Sequence, residues 1–254
     1  RSGRQGDPGF TQFYVSMEDD LMRIFGGEKM RVLMERLGLP DDMPIENGLI
    51  SRSIEGAQRK VEGRNFDIRK HLVEYDDVMN THRNIIYSRR RKILENESLK
   101  NEVILLIENQ VEKIVLNNPE NPKEIWETIN AIHRAPLNPI SFDRIRDLKL
   151  EEMIDTLKKY LEAEYEEKEK NLPATSLMRR AERGLMLRVM DKLWMDHIDE
   201  LRYLREAVSL SGYGQRDPLI EYKNKAYTIF EDLIEKIDYE TLTTLMRVKI
   251  NVQI

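Results

Sequence analysis

Apolar residues between 51 and 95 fall at Ile54, Ala57, Val61, Ile68, Leu72, Tyr75, Met79, Ile86 and Ile93. The steps are threes, fours and sevens, the spacing of one helix face, and no proline interrupts them. The spacing predicts one helix of over forty residues, roughly 60 Å long at 1.5 Å per residue. Ser51 or Ser53 is placed to cap its start. Gly56 and Gly63 lie inside it, each costing about 1 kcal/mol against alanine, and are read as room for close packing of a neighbour. A second long stripe is formed by Ala181, Leu185, Val189, Leu193, Leu201, Leu204 and Val208, predicting a helix over 175–210. A third is formed by Leu219, Tyr222, Ala226, Ile229, Leu233 and Ile237, predicting a helix over 219–248 that opens on the cap signal Asp217-Pro218. Two long helices joined by the short segment 211–216 make an antiparallel hairpin, with Tyr213 at its tip between Gly212 and Gly214.

Shorter helices are predicted between these rods. One spans 97–116. Asn121-Pro122 with Glu124 starts a second, which Pro136 and Pro139 end. Ser141 is read as the cap of a short third, and residues 150–170 form a fourth. Helices over 18–25 and 28–37 are expected near the N-terminus. Residues 10–16 (FTQFYVS) alternate like a strand. A lone strand cannot satisfy its own backbone groups, so its sheet is expected in sequence preceding Arg1.

Composition sharpens this picture. Charged residues make up 34%, and glycine and proline together are only 21 of 254, as long helices require. Without cysteine there is no disulfide, thiol nucleophile or cysteine-ligated metal. The longest purely aliphatic run, residues 103–107, is far short of a membrane span. The 41 basic and 46 acidic residues leave −5, too small to name a partner. The excess is local, because residues 97–173 carry six more acids than bases; the run over 162–170 is read as a solvated helix face.

The candidate chemistry is sparse. Arg1 and Arg4 in a glycine loop suit phosphate, since a guanidinium binds phosphate oxygens bidentately and glycine lets the backbone approach. No G-x-x-x-x-G-K-[ST] phosphate loop occurs, so these residues do not hydrolyse a nucleotide by themselves. Asp196-His197 beside Trp194 is read as structural, Asp76 and Asp77 as ion-pair partners, and the basic cluster at 89–92 as a helix-end feature, with lipid or nucleic acid as its other reading. Met178, Met186, Met190 and Met195 are read as hairpin packing, with an adaptable partner surface as the alternative.

Several long motifs then resemble one family. They are Arg1-Ser-Gly-Arg-Gln-Gly-Asp-Pro-Gly9, Met17-Glu-Asp-x-Leu-Met-Arg-Ile-Phe25, Ala57-Gln-Arg-Lys-Val-Glu-x-Arg-Asn-Phe-Asp-Ile-Arg-Lys70 and Glu74-Tyr-Asp-Asp-Val78. Tyr203-Leu-Arg205, Gly212-Tyr213, Asp217-Pro218 and Glu221-Tyr-Lys223 follow in order. Together they resemble SecA, the motor ATPase of bacterial protein export. The resemblance implies a mainly α fold with a remnant strand of an α/β motor domain. Residues 1–48 would end the second nucleotide-binding domain, 49–96 form the long helix of the helical scaffold, 97–173 the helical wing, and 174–254 the two-helix finger and its return to the scaffold. It also implies Arg4 as the arginine finger, Arg1 as its companion and Asp7 as a nucleotide contact. Tyr213, flanked by Gly212 and Gly214, would touch polypeptide at the mouth of the SecY channel. ATP and Mg would serve the whole motor, with none bound tightly by this piece alone. Implied partners are the SecYEG channel, unfolded preprotein, anionic phospholipids, the upstream motor domains and a second copy, but not nucleic acid. The implied location is cytoplasmic, peripheral on the inner face of the bacterial cell membrane. The family's Cys/His zinc tail is absent, so no metal site carries over. A stand-alone helical scaffold is the alternative.

Overall fold

The computed structural model describes residues 6–10, 14, 16, 48–133, 136, 139–210 and 217–249. Among them are six α-helices, one 3₁₀ turn and no strand. The helices are α1 (Gly48–Glu95), α2 (Lys100–Asn117), α3 (Pro122–Ile132), α4 (Leu150–Lys170), α5 (Thr175–Leu210) and α6 (Pro218–Arg247). The helices expected over 18–25 and 28–37 lie outside the described residues. At the described positions of the expected strand, Phe10 and Tyr14 are more than 80% exposed and belong to no regular element. The expected strand's other positions, 11–13 and 15, lie outside the described residues.

The chain divides into two units, Arg1–Glu74 and Tyr75–Ile254. In the first, α1 starts at Gly48, so Ser51 and Ser53 lie inside the helix rather than at its cap. Phe66, Ile68, Leu72 and Val73 are exposed along it. Among the described residues no atom lies within 4 Å of a Cβ built on Gly56 or Gly63, so none of those residues packs closely there.

The second unit is a helical assembly around one main core. α2 buries Val103, Leu106, Ile107, Val111, Ile114 and Val115, the i, i+3, i+4 pattern of a core-facing helix. α3 begins as its sequence demands. The Asn121 side-chain oxygen accepts from the Glu124 N–H at 3.2 Å, and its amide donates to the Glu124 carboxylate at 3.1 Å. The helix stops at Ile132, before both prolines. The expected helix after Ser141 is a single 3₁₀ turn, Phe142–Arg144, and Ser141 makes no side-chain cap bond. It is held by Trp126, whose indole donates to the Ile140 carbonyl at 2.9 Å. α4 packs chiefly on α2 through Met153, Leu157 and Leu161.

Among the described helices, α5 and α6 share the most extensive contact. They run antiparallel, because Val208 and Leu201 cluster with Tyr222 and Ala226 while His197 meets Phe230. The C-terminal end of α6 returns into the main core with Leu242, Leu245 and Met246 beside α2 and α3. Three helix ends are closed by cations from other elements. Arg183 of α5 donates to the carbonyls of Ile93 (3.3 Å) and Asn96 (2.6 Å) at the end of α1. Lys168 of α4 donates to Leu245 (2.6 Å) and Met246 (3.3 Å) at the end of α6. Arg247 donates to Ala131 in the last turn of α3. Each cation meets the negative end of a helix dipole and an otherwise open carbonyl. Burial holds the Lys168 ammonium down to about 8, so it is the group there most easily made neutral.

Candidate functional site: the hairpin and its polar seam with the long helix

Of the residues singled out for function, Arg1, Arg4, Gly212, Tyr213 and Gly214 lie outside the described residues. Asp7 is described and exposed. It follows Gly6, whose φ of +86° is a left-handed conformation that a side chain would strain. An open carboxylate on a glycine turn is a group that a ligand's hydroxyls or ammonium can approach from solvent. The hairpin frames the tip segment. α5 ends at Leu210, and α6 opens where the Asp217 carboxylate accepts from the Leu219 N–H at 2.9 Å.

The stem of the hairpin lies against the second part of α1, and the seam between α1 and α5 is polar. Asp76 meets Arg205 at 3.6 Å, His82 meets His197 at 3.1 Å, Arg90 meets Asp191 at 3.0 Å, and Arg183 reaches the end of α1. As the number on α1 rises, that on α5 falls, so these helices are antiparallel. Arg89 adds a link from α1 to Asp238 of α6. The Asp76–Arg205 and Arg90–Asp191 side chains are 39–67% exposed. Such pairs stabilise by roughly 0–1 kcal/mol each.

The histidine rung is different. His82 and His197 are buried and lie among Phe230, stacked on His82 at 4.1 Å, and Trp194, 5.5 Å from His197. Burial holds both imidazoles neutral, pulling each from 6.5 to about 4; the nearness of His82 adds a smaller push on His197. One proton lies between them. His197 Nδ1 is buried and has no hydrogen-bond partner among the described residues. A bare lone pair there costs less than an orphaned N–H, which assigns His197 Nε2–H as donor to His82 Nδ1.

A second polar group joins α4 to α5. The Tyr165 hydroxyl donates to Glu182 at 2.6 Å and accepts from Arg179 at 2.9 Å. Arg179 also binds both Glu182 oxygens, at 2.8 and 2.7 Å, and pairs with Glu169, which Lys100 of α2 approaches to 3.0 Å. Burial pushes Glu182 up despite these donors. Burial also acts to raise Glu169, but Lys100 and Arg179 outweigh it and hold it below its ordinary value. Every strong acceptor here is engaged by a donor, so this cluster joins helices rather than presenting a free base.

Several readings of the sequence find their place. Arg89, Arg90 and Arg91 are committed to Asp238, Asp191 and Glu95. Asp76 is an ion-pair partner as expected. Met178, Met186 and Met190 are core residues, and Met195 is exposed. The acidic run over 162–170 is not wholly a solvated face: Glu164 is buried and Glu169 is 10% exposed. Among the described residues no group of three or more His, Asp or Glu is arranged to hold a metal, and no helix is long and apolar enough to cross a membrane.

Comparison with known proteins completes the picture. The family model of the SecA wing and scaffold domain matches residues 44–249, and that of the SecA P-loop domain matches residues 1–42. The chain is 44% identical over 255 residues to a protein of Heliobacterium modesticaldum, covering 98% of this chain and 30% of that one. It is 47% identical over 255 residues to a Synechococcus protein, covering 96% and 27%, and 42% identical over 256 residues to one of Thermodesulfovibrio yellowstonii, covering 98% and 28%. All three are named protein translocase subunit SecA. The chain thus spans less than a third of the length of these relatives. With both family models meeting end to end along it and the helical hairpin in place, the chain belongs to the SecA family.

Proposed function

We propose that the chain is the C-terminal working part of an ATP-driven translocase that pushes unfolded preproteins through the SecY channel. The carrying observation is the match over residues 44–249 together with an antiparallel pair of long helices that Tyr213 lies between in sequence. In this reading residues 1–48 end a nucleotide-binding domain, 49–96 are the scaffold helix, 97–173 the wing, and 174–254 the finger. ATP with Mg, bound mainly by residues of the upstream domains, supplies the energy of hydrolysis. Arg4 stabilises charge developing on the transferred phosphoryl group, Arg1 supports it and Asp7 contacts the nucleotide. The open Gly6–Asp7 turn fits a ligand arriving from outside this chain. Tyr213, flanked in sequence by Gly212 and Gly214, contacts polypeptide through its ring and hydroxyl. The motor works at the inner face of the cell membrane, on anionic lipid. Movement of the nucleotide-binding domain reaches the finger along the long helix and its polar seam.

The test uses the intact motor. Tyr213→Ala is expected to impair translocation while much basal ATPase survives; equal loss of both sinks the tip role. Arg4→Ala is expected to slow hydrolysis by on the order of 10³-fold with modest loss of nucleotide affinity. An unchanged turnover rate removes Arg4 from the mechanism. ATPase measured with and without the upstream domains separates a motor part from a free-standing helical scaffold, which would give no difference.

A further inference from the structure

We propose that His82 and His197 are a register pin that fixes the axial position of the hairpin along α1, so that the hairpin travels with the long helix rather than sliding on it. The inference rests on the finger reading only for its use; the pin itself follows from the seam. The exposed rungs do not fix a register. The Arg90–Asp191 and Asp76–Arg205 side chains are largely in water, where an ion pair stabilises by no more than about 1 kcal/mol. A slip that breaks them returns exposed charges to water at little cost.

The histidines have no such alternative. A slip of one helical turn is about 5 Å, or three to four residues. It would set His197 against Val78 and Met79 in one direction, or Ile85 and Ile86 in the other. In the same movements His82 would face Leu193 and Trp194, or Glu200 and Leu201. Either way a bond between two buried imidazoles is lost, and their polar nitrogens face mainly apolar surface. Only the observed register pairs them, in a layer closed by Phe230 and Trp194. A buried polar pair of this kind selects one packing over its near neighbours, much as a buried asparagine fixes coiled-coil register.

The chain has no cysteine, so paired spin labels can be placed at will. Leu94→Cys on α1 and Tyr203→Cys on α5 are exposed positions far apart along the seam. The parent is expected to give one narrow distance by pulsed electron resonance. His197→Leu and His82→Leu keep the packing volume and remove the bond. Each is expected to add a second population displaced by about 5 Å, with unfolding still cooperative. His197→Gln, which returns an amide N–H near the Nε2 position, is expected to restore the single distance. A single unshifted distance in either leucine variant overturns the pin, as does loss of cooperative unfolding in either. A glutamine variant as broad as the leucine ones overturns the hydrogen bond as its cause. These distances are independent of transport: a motor indifferent to Tyr213→Ala sinks the finger reading and leaves the distance result standing.

Discussion

Acidification should loosen the α1–hairpin joint by an amount the two imidazoles set. In the unfolded chain a histidine takes up a proton near 6.5; buried in the joint, His82 and His197 do so only near 4. Below 6.5 the unfolded state therefore binds more protons than the folded one, and stability rises with pH. The contribution is complete above about pH 7 and is lost as pH falls from about 6.5 toward 4. At pH 5.0 an unfolded histidine is almost wholly charged, whereas a folded one remains about nine-tenths neutral. Going from pH 7.5 to 5.0 thus costs about 2 kcal/mol per imidazole and about 4 kcal/mol for the pair. The assay is urea unfolding followed by circular dichroism at both pH values, for the parent and for a variant carrying His82→Leu and His197→Leu. His133, which burial also lowers, is common to both and cancels. With a slope of about 2 kcal/mol per molar urea, the parent's midpoint should fall by about 2 M more than the variant's. An equal fall in the two proteins refutes the assignment of these imidazoles as buried and neutral.

Other substitutions test other links. Glu182→Ala strips the acceptor from Tyr165 and Arg179 inside the α4–α5 contact and is expected to cost about 3–5 kcal/mol, read from the urea midpoint. A cost below about 1 kcal/mol would show that the network is wet and replaceable. Leu157→Ala opens a cavity under α4 and should cost about 2–5 kcal/mol in the same measurement. Asp217→Ala removes the cap of α6 and should cost about 1 kcal/mol, with increased amide exchange in residues 218–221 as its signature.

The rods were legible because periodicity and punctuation agree along them. The helices Leu150–Lys170 and Thr175–Leu210 run between the residues their stripes and breakers predict. The short third helix failed because Phe142, Ile145 and Leu148 repeat at steps of three over only eight residues, too few to sustain more than the 3₁₀ turn. The polar groups buried in the fold left a fainter trace. Glu182 lies between Met178 and Met186, His197 between Leu193 and Leu201, and His82 between Met79 and Ile86, each at helical spacing. A polar residue in phase with an apolar stripe marks a buried polar contact, although its partner does not show. That His82 meets His197 across 115 residues depends on the antiparallel lie of α1 and α5, which neither stripe specifies alone. Glu164 and Glu169 were hidden in the same way within a run that reads as uniformly charged.

The cations that close the helix ends also set a timetable for the chain's birth. Arg183 follows Ile93 by 90 residues, Lys168 precedes Leu245 by 77, and Arg247 follows Ala131 by 116. At a synthesis rate of about 5–20 residues per second, Arg183 emerges roughly 5–20 s after the α1 end it closes. For that interval the nascent rod carries open carbonyls and the bare apolar side chains of Ile86 and Ile93. The terminus of the long helix therefore matures only when α5 has been made, and a ribosome stalled before Arg183 leaves a frayed, adhesive end.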